Sequence, residues 1–359
     1  MLGFLRSTKN KGKQEIHAIP SELRRDPVTG DWIVIARSRS KRPSDFAVTP
    51  APPVKAAKDP FANPQASGNE EAVLRYNKEG TGDWMVQVIP NKFPAFTQQG
   101  ECMVPSTQGP FEVVDGRGYH EVVITKDPIR DFAQFSHEEA EYAVRAFHER
   151  FVALSADACV RYISIFQNHG VEAGASLTHP HSQIIAIPVV PAAVRRSLGG
   201  AKRWNAKYGT NVHQEILKWE RAQKTRLLFE NEEFTVVCPF VSRVAFEMRI
   251  FPKKHQASFA ELAPSEYGAL GDALRAALGM LRETLNDPPY NFFIHTTPVN
   301  GQGTHEYYEW HIEILPKTAT WAGFELGTGI EISTLEPERA AEFLRVNLPQ
   351  WAKEEASTL

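Results

Sequence analysis

Cysteine is scarce. Cys102, Cys159 and Cys238 are the whole complement, and they lie far apart in the chain. With no Cys-x-x-Cys and no even set, neither a thiolate zinc knuckle nor a disulfide framework is indicated, and a reducing compartment fits. Long apolar runs are missing too: none nears the roughly 18 to 20 residues of a membrane span. The opening Met1-Leu2-Gly3-Phe4-Leu5-Arg6 has too few apolar residues for a secretory signal, so a cytoplasmic protein is expected. Nor is there an excess of one charge. A formal net charge of −3 gives no global reason to expect nucleic-acid or membrane binding.

What is present reads as globular. The chain has 359 residues, 42% of them hydrophobic and 23% charged, enough for two domains or one large duplicated unit. Residues 1–20 are polar and weakly patterned and read as a flexible arm. Asp31 to Ala36 reads as a strand after a turn at Pro27 to Gly30, and Arg37, Arg39, Lys41 and Arg42 follow as a basic cluster. Residues 43–70, rich in Pro, Ala and Asn, read as a long loop. Further strands are expected at Met85–Ile89, Glu121–Ile124 and Arg161–Phe166. Between the last two, Ser136-x-x-Glu139 is a capping box that opens a helix with Ala140, Ala143, Val144, Phe147, Phe151 and Leu154 as its apolar stripe.

The second half repeats this order. Val244–Phe251 reads as a strand, Phe259-Ala260-Glu261-Leu262 stands where Phe132-Ala133-Gln134-Phe135 stood, and a helix follows with Leu270, Leu274, Leu278, Leu281 and Leu285. Tyr290–Ile294 then matches the strand at Tyr162, and Glu309 to Pro316 matches His181 to Pro188, an offset of about 127 residues. Counted back from the two terminal prolines, His181 falls opposite Glu309. Helices between antiparallel-type strands indicate an α+β fold, duplicated, with the division at residues 21–198 and 199–359.

The chemistry concentrates in His179-Pro180-His181-Ser182-Gln183, which runs straight into an apolar strand. At a side-chain period of two, His179, His181 and Gln183 share one face. A Gly-rich approach, Gly170 to Gly174-Ala175-Ser176, precedes them. That pattern suits a histidine attacking phosphorus. Neutral imidazole is nucleophilic near pH 7, and its phosphoramidate is readily cleaved by a second acceptor. Gln183, Ser176 and the backbone N–H groups around Gly174 are placed to hold phosphoryl oxygens. Of the other histidines, His120, His137, His148 and His213 read as surface residues and His169 as a wall of the pocket. Trp84, Trp310 and Trp321 read as core or pocket wall. His295, Glu309 and His311 are too openly spaced to establish a metal site.

Taken in order, several segments resemble galactose-1-phosphate uridylyltransferases, the two-copy branch of the histidine-triad superfamily. They are Arg25-Asp26-Pro27-Val28-Thr29-Gly30-Asp31-Trp32, Arg39-x-Lys41-Arg42-Pro43, Asn91-Lys92-Phe93-Pro94-Ala95, the His179 to Gln183 motif, Trp310-His311-Ile312-Glu313, and Gly323-Phe324-Glu325-x-Gly327-Thr328-Gly329. The resemblance implies two histidine-triad-like domains with antiparallel sheets and flanking helices. It implies a ping-pong exchange in which a nucleotide sugar passes its nucleotidyl group to His181, with Gln183 and His179 beside it. Asn168, Gly174 and Ser176 become phosphoryl contacts, Asn91 and Phe93 contacts to base and ribose, Glu325 a contact to sugar hydroxyls, and Arg25, Arg39 and Arg42 partners for phosphates. Nucleotide sugar and hexose 1-phosphate are the implied partners, and a homodimer the implied assembly.

Two departures bear on this reading. The family's structural zinc set appears here as Asp59, Ala62, Pro128 and His179, which cannot close a tetrahedral site, so no zinc is expected. The family's second His-x-His appears as Glu309-x-His311. The Asn168-His169-Gly170 and Gly174-Ala175-Ser176 segments look like a divergent branch that includes enzymes acting on ADP-glucose with phosphate. The expected activity is UDP-glucose:hexose-1-phosphate uridylyltransfer, with ADP-glucose phosphorolysis or a related dinucleotide phosphorolysis as the alternative. A non-catalytic binder is disfavoured, since it has no need of a bare imidazole at phosphorus.

Overall fold

The computed structural model describes residues 20–37, 42–46, 59–78, 80–100, 102, 105–301, 303 and 305–356. The expected arm at 1–19, Arg39, Lys41 and much of the Pro-rich stretch lie outside these. The strands are β1 (Glu22–Arg25), β2 (Trp32–Ile35), β3 (Leu74–Asn77), β4 (Trp84–Pro90), β5 (Ser106–Gln108), β6 (Phe111–Val113), β7 (Tyr119–Thr125), β8 (Tyr162–His169), β9 (His181–Ile187), β10 (Leu227–Glu230), β11 (Phe234–Val237), β12 (Met248–Pro252), β13 (Tyr290–His295), β14 (His311–Pro316) and β15 (Ile332–Ser333). The helices are α1 (His137–Ser155), α2 (Ala192–Tyr208), α3 (Val212–Gln223), α4 (Tyr267–Leu285), α5 (Gly323–Thr328), α6 (Pro337–Val346) and α7 (Gln350–Ala356).

One ten-stranded antiparallel sheet carries the fold, in the order β10-β11-β12-β14-β13-β8-β9-β7-β4-β3. Counted outward from the central β13–β8 pair, the two sides have the same order. The third strand of each side leads into a long helix, α1 or α4, and then returns to the centre. This is an α+β fold built by duplication. Side-chain alternation sorts the sheet into two faces. Val123, Ile165, Ile184, Phe292, Ile312 and Ile314 join the large core beneath α1 and α4. Ser136 caps α1 by accepting from Glu139 N, while Glu139 reaches back to Ser136 N. The two helices approach closely at Gly271, where a Cβ would lie 3.0 Å from Ala140 Cβ. The opposite face carries His120, Asn168, His181 and Gln183 on one side and His295, His311, Glu313 and Arg249 on the other.

The sheet register corrects the proline count. Phe166 lies opposite both Gln183 and Phe293, and Phe293 lies opposite Glu313. Gln183 therefore corresponds to Glu313, and His181 to His311 rather than Glu309. The stretch from this position to the terminal proline is two residues shorter in the second half. A shift of two preserves the face, so periodicity alone could not reveal it.

Other expectations are also revised. Cys102 and Cys159 form a disulfide, although neither spacing nor composition indicated one. His148 and His213 are buried, not superficial, and Trp321 is exposed rather than walled in. The division placed between 198 and 199 falls inside α2. Among the described residues no helix is long and apolar enough to cross a membrane.

Candidate active site

β9 begins at His181, so the nucleophile candidate opens the strand rather than lying within it. The His181 Nδ1 donates to the His179 carbonyl at 2.8 Å. A carbonyl only accepts, so the proton is fixed on Nδ1 and the lone pair sits on Nε2. That nitrogen has no hydrogen-bond partner among the described residues. Burial is the larger influence on the ring and lowers its pKa, while the bond to the carbonyl pulls the other way. A neutral imidazole with a defined tautomer results. Phe61 packs edge-on against it, with ring centroids 5.3 Å apart.

His179 reaches His181 through its backbone only. Its own ring is spent on Asp59, with Nδ1 to Oδ2 at 2.7 Å, and on the Thr125 carbonyl, with Nε2 at 2.7 Å. Asp59 also accepts from Phe61 N. Both imidazole nitrogens are thus committed, and Ala62 and Pro128 offer no donor. These residues do not fit a zinc ion.

Gln183 is oriented by a residue the sequence reading placed on the surface. Ala95 N donates to His120 Nδ1 at 3.1 Å, so the ring hydrogen must be on Nε2. Nε2 then donates to Gln183 Oε1 at 2.9 Å, which turns the Gln183 amide nitrogen away from His120 and free to donate elsewhere. Asn91 Nδ2 lies 3.0 Å from the same ring nitrogen but cannot donate to it in this tautomer. Asn91 Oδ1 is held by Phe93 N, so the amide cannot turn over without losing that bond. Phe93 itself is 83% exposed. The missed signal for His120 is its position: it lies on β7, two residues before the partner of Gln183, and so on the same face.

Asn168 sits beside this pair on β8. Its Oδ1 accepts from Asn291 Nδ2, which also bonds the Ala173 carbonyl, leaving the Asn168 amide nitrogen available near Gly174. The loop from Gly170 to Ser176 depends on glycine: Gly170 has φ +81°, and a Cβ there would lie 2.9 Å from Pro289. The expected cradle of backbone donors is largely absent, because Gly174 N bonds Val171 O and Ala175 N bonds Gly170 O. Side-chain amides and the exposed Ser176 remain as donors. His169 does not offer a free nitrogen to a pocket. Its ring lies between Asp131 and Asp287, at 3.3 and 3.2 Å, and stacks on Tyr290. Burial would lower its pKa, but the two carboxylates outweigh it and the pKa is raised.

Of the remaining predicted residues, Arg25, Arg42 and Glu325 are engaged elsewhere in the chain. Arg25 bonds the Gly30 carbonyl and lies over Trp32. Arg42 is exposed, with its backbone N–H capped by Asp45. Glu325 caps α5 and faces a depression shared with Lys317 and Thr320. Arg39 lies outside the described residues.

Comparison with known proteins shows what the whole chain is similar to. The family model described as galactose-1-phosphate uridyl transferase, N-terminal domain, matches residues 11–191, and a domain of unknown function (DUF4921) matches 114–356. ADP-glucose phosphorylase of Arabidopsis thaliana is 32% identical over 90% of this chain and 92% of that protein. Galactose-1-phosphate uridylyltransferase of Thermotoga maritima is 27% identical over 90% of this chain and 98% of its own length. The crystal structure of the Arabidopsis ADP-glucose phosphorylase with bound ADP-glucose superposes with a TM-score of 0.77 at 30% identity, covering 91% of this chain and 99% of that one.

Proposed function

The chain belongs to the galactose-1-phosphate uridyl transferase family, and from that premise we propose that it moves a nucleotidyl group from a nucleotide sugar to a phosphate acceptor through a covalent adduct on His181. The observation that carries this reading is the fixed tautomer: a proton held on Nδ1 by the His179 carbonyl and a bare, neutral Nε2. Nε2 attacks the α-phosphorus, an N–P bond forms, and the bond from the α-phosphorus to the bridging oxygen breaks. Hexose 1-phosphate leaves with the bond's electron pair. The acceptor's phosphate oxygen then attacks the same phosphorus and the N–P bond breaks, restoring the neutral ring. The amides of Gln183 and Asn168 and the Ser176 hydroxyl donate to the phosphoryl oxygens, and Asn91 and Phe93 meet the nucleoside. The scheme needs no zinc at Asp59 and His179.

ADP-glucose as donor and phosphate as acceptor is the favoured pair, supported by the 32% identical phosphorylase and its ADP-glucose-bound structure. Uridylyl transfer between hexose 1-phosphates is the second reading, supported by the Thermotoga relative. Arg25, Arg42 and Glu325 are engaged elsewhere within one chain, so this reading takes the protein as a homodimer in which another copy supplies part of the sugar site.

Isotope exchange separates the pairs. Labelled glucose 1-phosphate should enter ADP-glucose with no other acceptor present. Exchange confined to UDP-glucose would establish the second reading, and no exchange with any nucleotide sugar would end both. The protonation state can be tested as well. Because burial holds the His181 pKa below the usual imidazole value of about 6.5, the protonated, non-nucleophilic form accumulates only in more acidic solution. Single-turnover adduct formation should therefore stay flat from pH 8 down to about 6.5 and fall below it. An acid limb centred above about pH 7 would contradict the assigned environment.

A further inference from the structure

The reaction drawn above leaves one largely buried titratable cluster unused. It lies at the seam where β8 pairs with β13. On β8, Asn168 faces the site and the next residue, His169, points to the opposite face. Tyr290 lies opposite His169 across the seam, and Asn291 opposite Asn168. The His169 ring stacks on Tyr290, with centroids 4.7 Å apart and an interplanar angle of 13°. Its two nitrogens meet carboxylates from separate elements. Nδ1 faces Asp131 Oδ2 at 3.3 Å, from the segment before α1, and Nε2 faces Asp287 Oδ1 at 3.2 Å, from just beyond α4.

This geometry decides the charge of the ring. A neutral imidazole has one lone pair and would aim it at a carboxylate oxygen in either tautomer. Only the imidazolium offers an N–H to each side. The carboxylates favour the same state. Asp131 is 1% exposed, and it already accepts from Ala133 N and from the Tyr290 hydroxyl, bonds that suit its ionised form. Burial raises the Asp131 pKa, and the charge of the His169 ring opposes that rise. Asp287 Oδ1 also takes Arg282 Nη1 at 2.9 Å. Two carboxylates are therefore balanced by Arg282 and a charged His169, whereas a neutral ring would leave one negative charge uncompensated.

The cluster reaches the site through the backbone. His169 stands between Asn168 and Gly170, which opens the loop that ends at Ser176. Pro289, beside Tyr290, crowds Gly170, and Asn291 holds both Asn168 Oδ1 and the Ala173 carbonyl. We propose that His169 works as a paired imidazolium, a positioning residue that clamps β8 to the entry of α1 and the exit of α4 and so sets Asn168 and loop 170–176 for the phosphates of the nucleotide sugar. The ligand in this inference rests on the reaction proposed for His181; the clamp itself does not. Burial lowers the His169 pKa, but the carboxylates outweigh it and the net shift is upward. The clamp is thus complete below the ordinary imidazole value of about 6.5 and is lost as pH rises through the higher value of the folded chain.

The test sets charge against shape in the full chain. In the wild type, the His169 ring followed by NMR should titrate above about 6.5, with both nitrogens protonated below its midpoint. His169→Gln keeps a planar hydrogen-bonding head without charge. His169→Lys keeps the charge: a carboxylate oxygen of Asp131 and one of Asp287 lie within 4.8 Å of each other, close enough for one ammonium to bond both at about 2.8 Å. Hydrogen exchange at Gly174 N and Ala175 N, which close the loop on Val171 O and Gly170 O, should quicken with glutamine and stay near wild type with lysine. In a His181→Gly background, which prevents transfer, affinity for ADP-glucose, or for UDP-glucose if exchange assigns that donor, should fall at least about 10-fold with glutamine, the scale of a lost bond to a charged group, and recover with lysine. The lysine variant should also gain in Tm over the wild type as pH rises, because its charge persists. A ring that titrates at or below the ordinary value, loop exchange that does not separate the two variants, or tighter donor binding by glutamine than by lysine would each overturn the proposal. Absence of donor binding in every variant would count against the reaction assigned to His181, while the ring titration and the loop exchange, which need no substrate, would still decide the clamp.

Discussion

His181→Gly is expected to abolish nucleotidyl transfer, lowering turnover by roughly 10⁴-fold or more, in the range seen when a covalent nucleophile is removed from other enzymes. No other described side chain presents a bare nucleophilic nitrogen on the same strand: the His179 ring is consumed by Asp59 and Thr125 O. The fold should survive, because the His181 ring is only partly buried and its one hydrogen bond is to a neighbouring carbonyl. The β7–β9 and β8–β9 ladders that hold its backbone do not involve the side chain. Circular dichroism and thermal unfolding should match the wild type. The labelled, acid-labile and base-stable protein adduct formed from a nucleotide sugar should disappear. A glycine variant that turns over at the wild-type rate would remove His181 from the reaction.

How much of this was legible depends on which distance in the chain each feature spans. The His179 to Gln183 motif, the Ser136 capping box and the duplicated strand–helix–strand order are local patterns, and the structure reproduces them. Features set by pairing between distant segments were not legible. The correspondence of His311 with His181 rests on Phe166 and Phe293 facing each other across β8 and β13, a contact over more than a hundred residues. A slip of two leaves every apolar residue on its proper face, so the pattern of hydrophobicity is silent about it. His213 read as superficial, but Tyr308 and Phe251, far from it in sequence, pack against the ring and bury it. The loop donors failed for a related reason. A Gly-rich turn can either present its N–H groups to a ligand or close on itself, and only the hydrogen bonds at Val171 O and Gly170 O distinguish the two.

The same long-range logic makes His120 the residue with the next largest expected effect. It touches neither phosphorus nor leaving group, but its Nε2–H fixes which end of the Gln183 amide faces the phosphoryl oxygens. Without it, Gln183 can turn over and present a carbonyl oxygen to an anion, exchanging attraction for repulsion. His120→Ala should lower the single-turnover rate of adduct formation by roughly 10²-fold, the scale of loss when a catalytic group is misplaced. Donor binding should weaken less, because Asn91 Oδ1 keeps its bond from Phe93 N. His120→Gln can again place an N–H against Gln183 Oε1 and should recover part of the rate, whereas a role confined to packing would predict no such recovery. Gln183→Glu should not be rescued by either variant, since a carboxylate accepts from both oxygens whatever His120 does. If His120→Ala forms the adduct within about twofold of the wild-type rate, far short of the 10²-fold scale of a misplaced group, then Gln183 is oriented by the bound substrate itself.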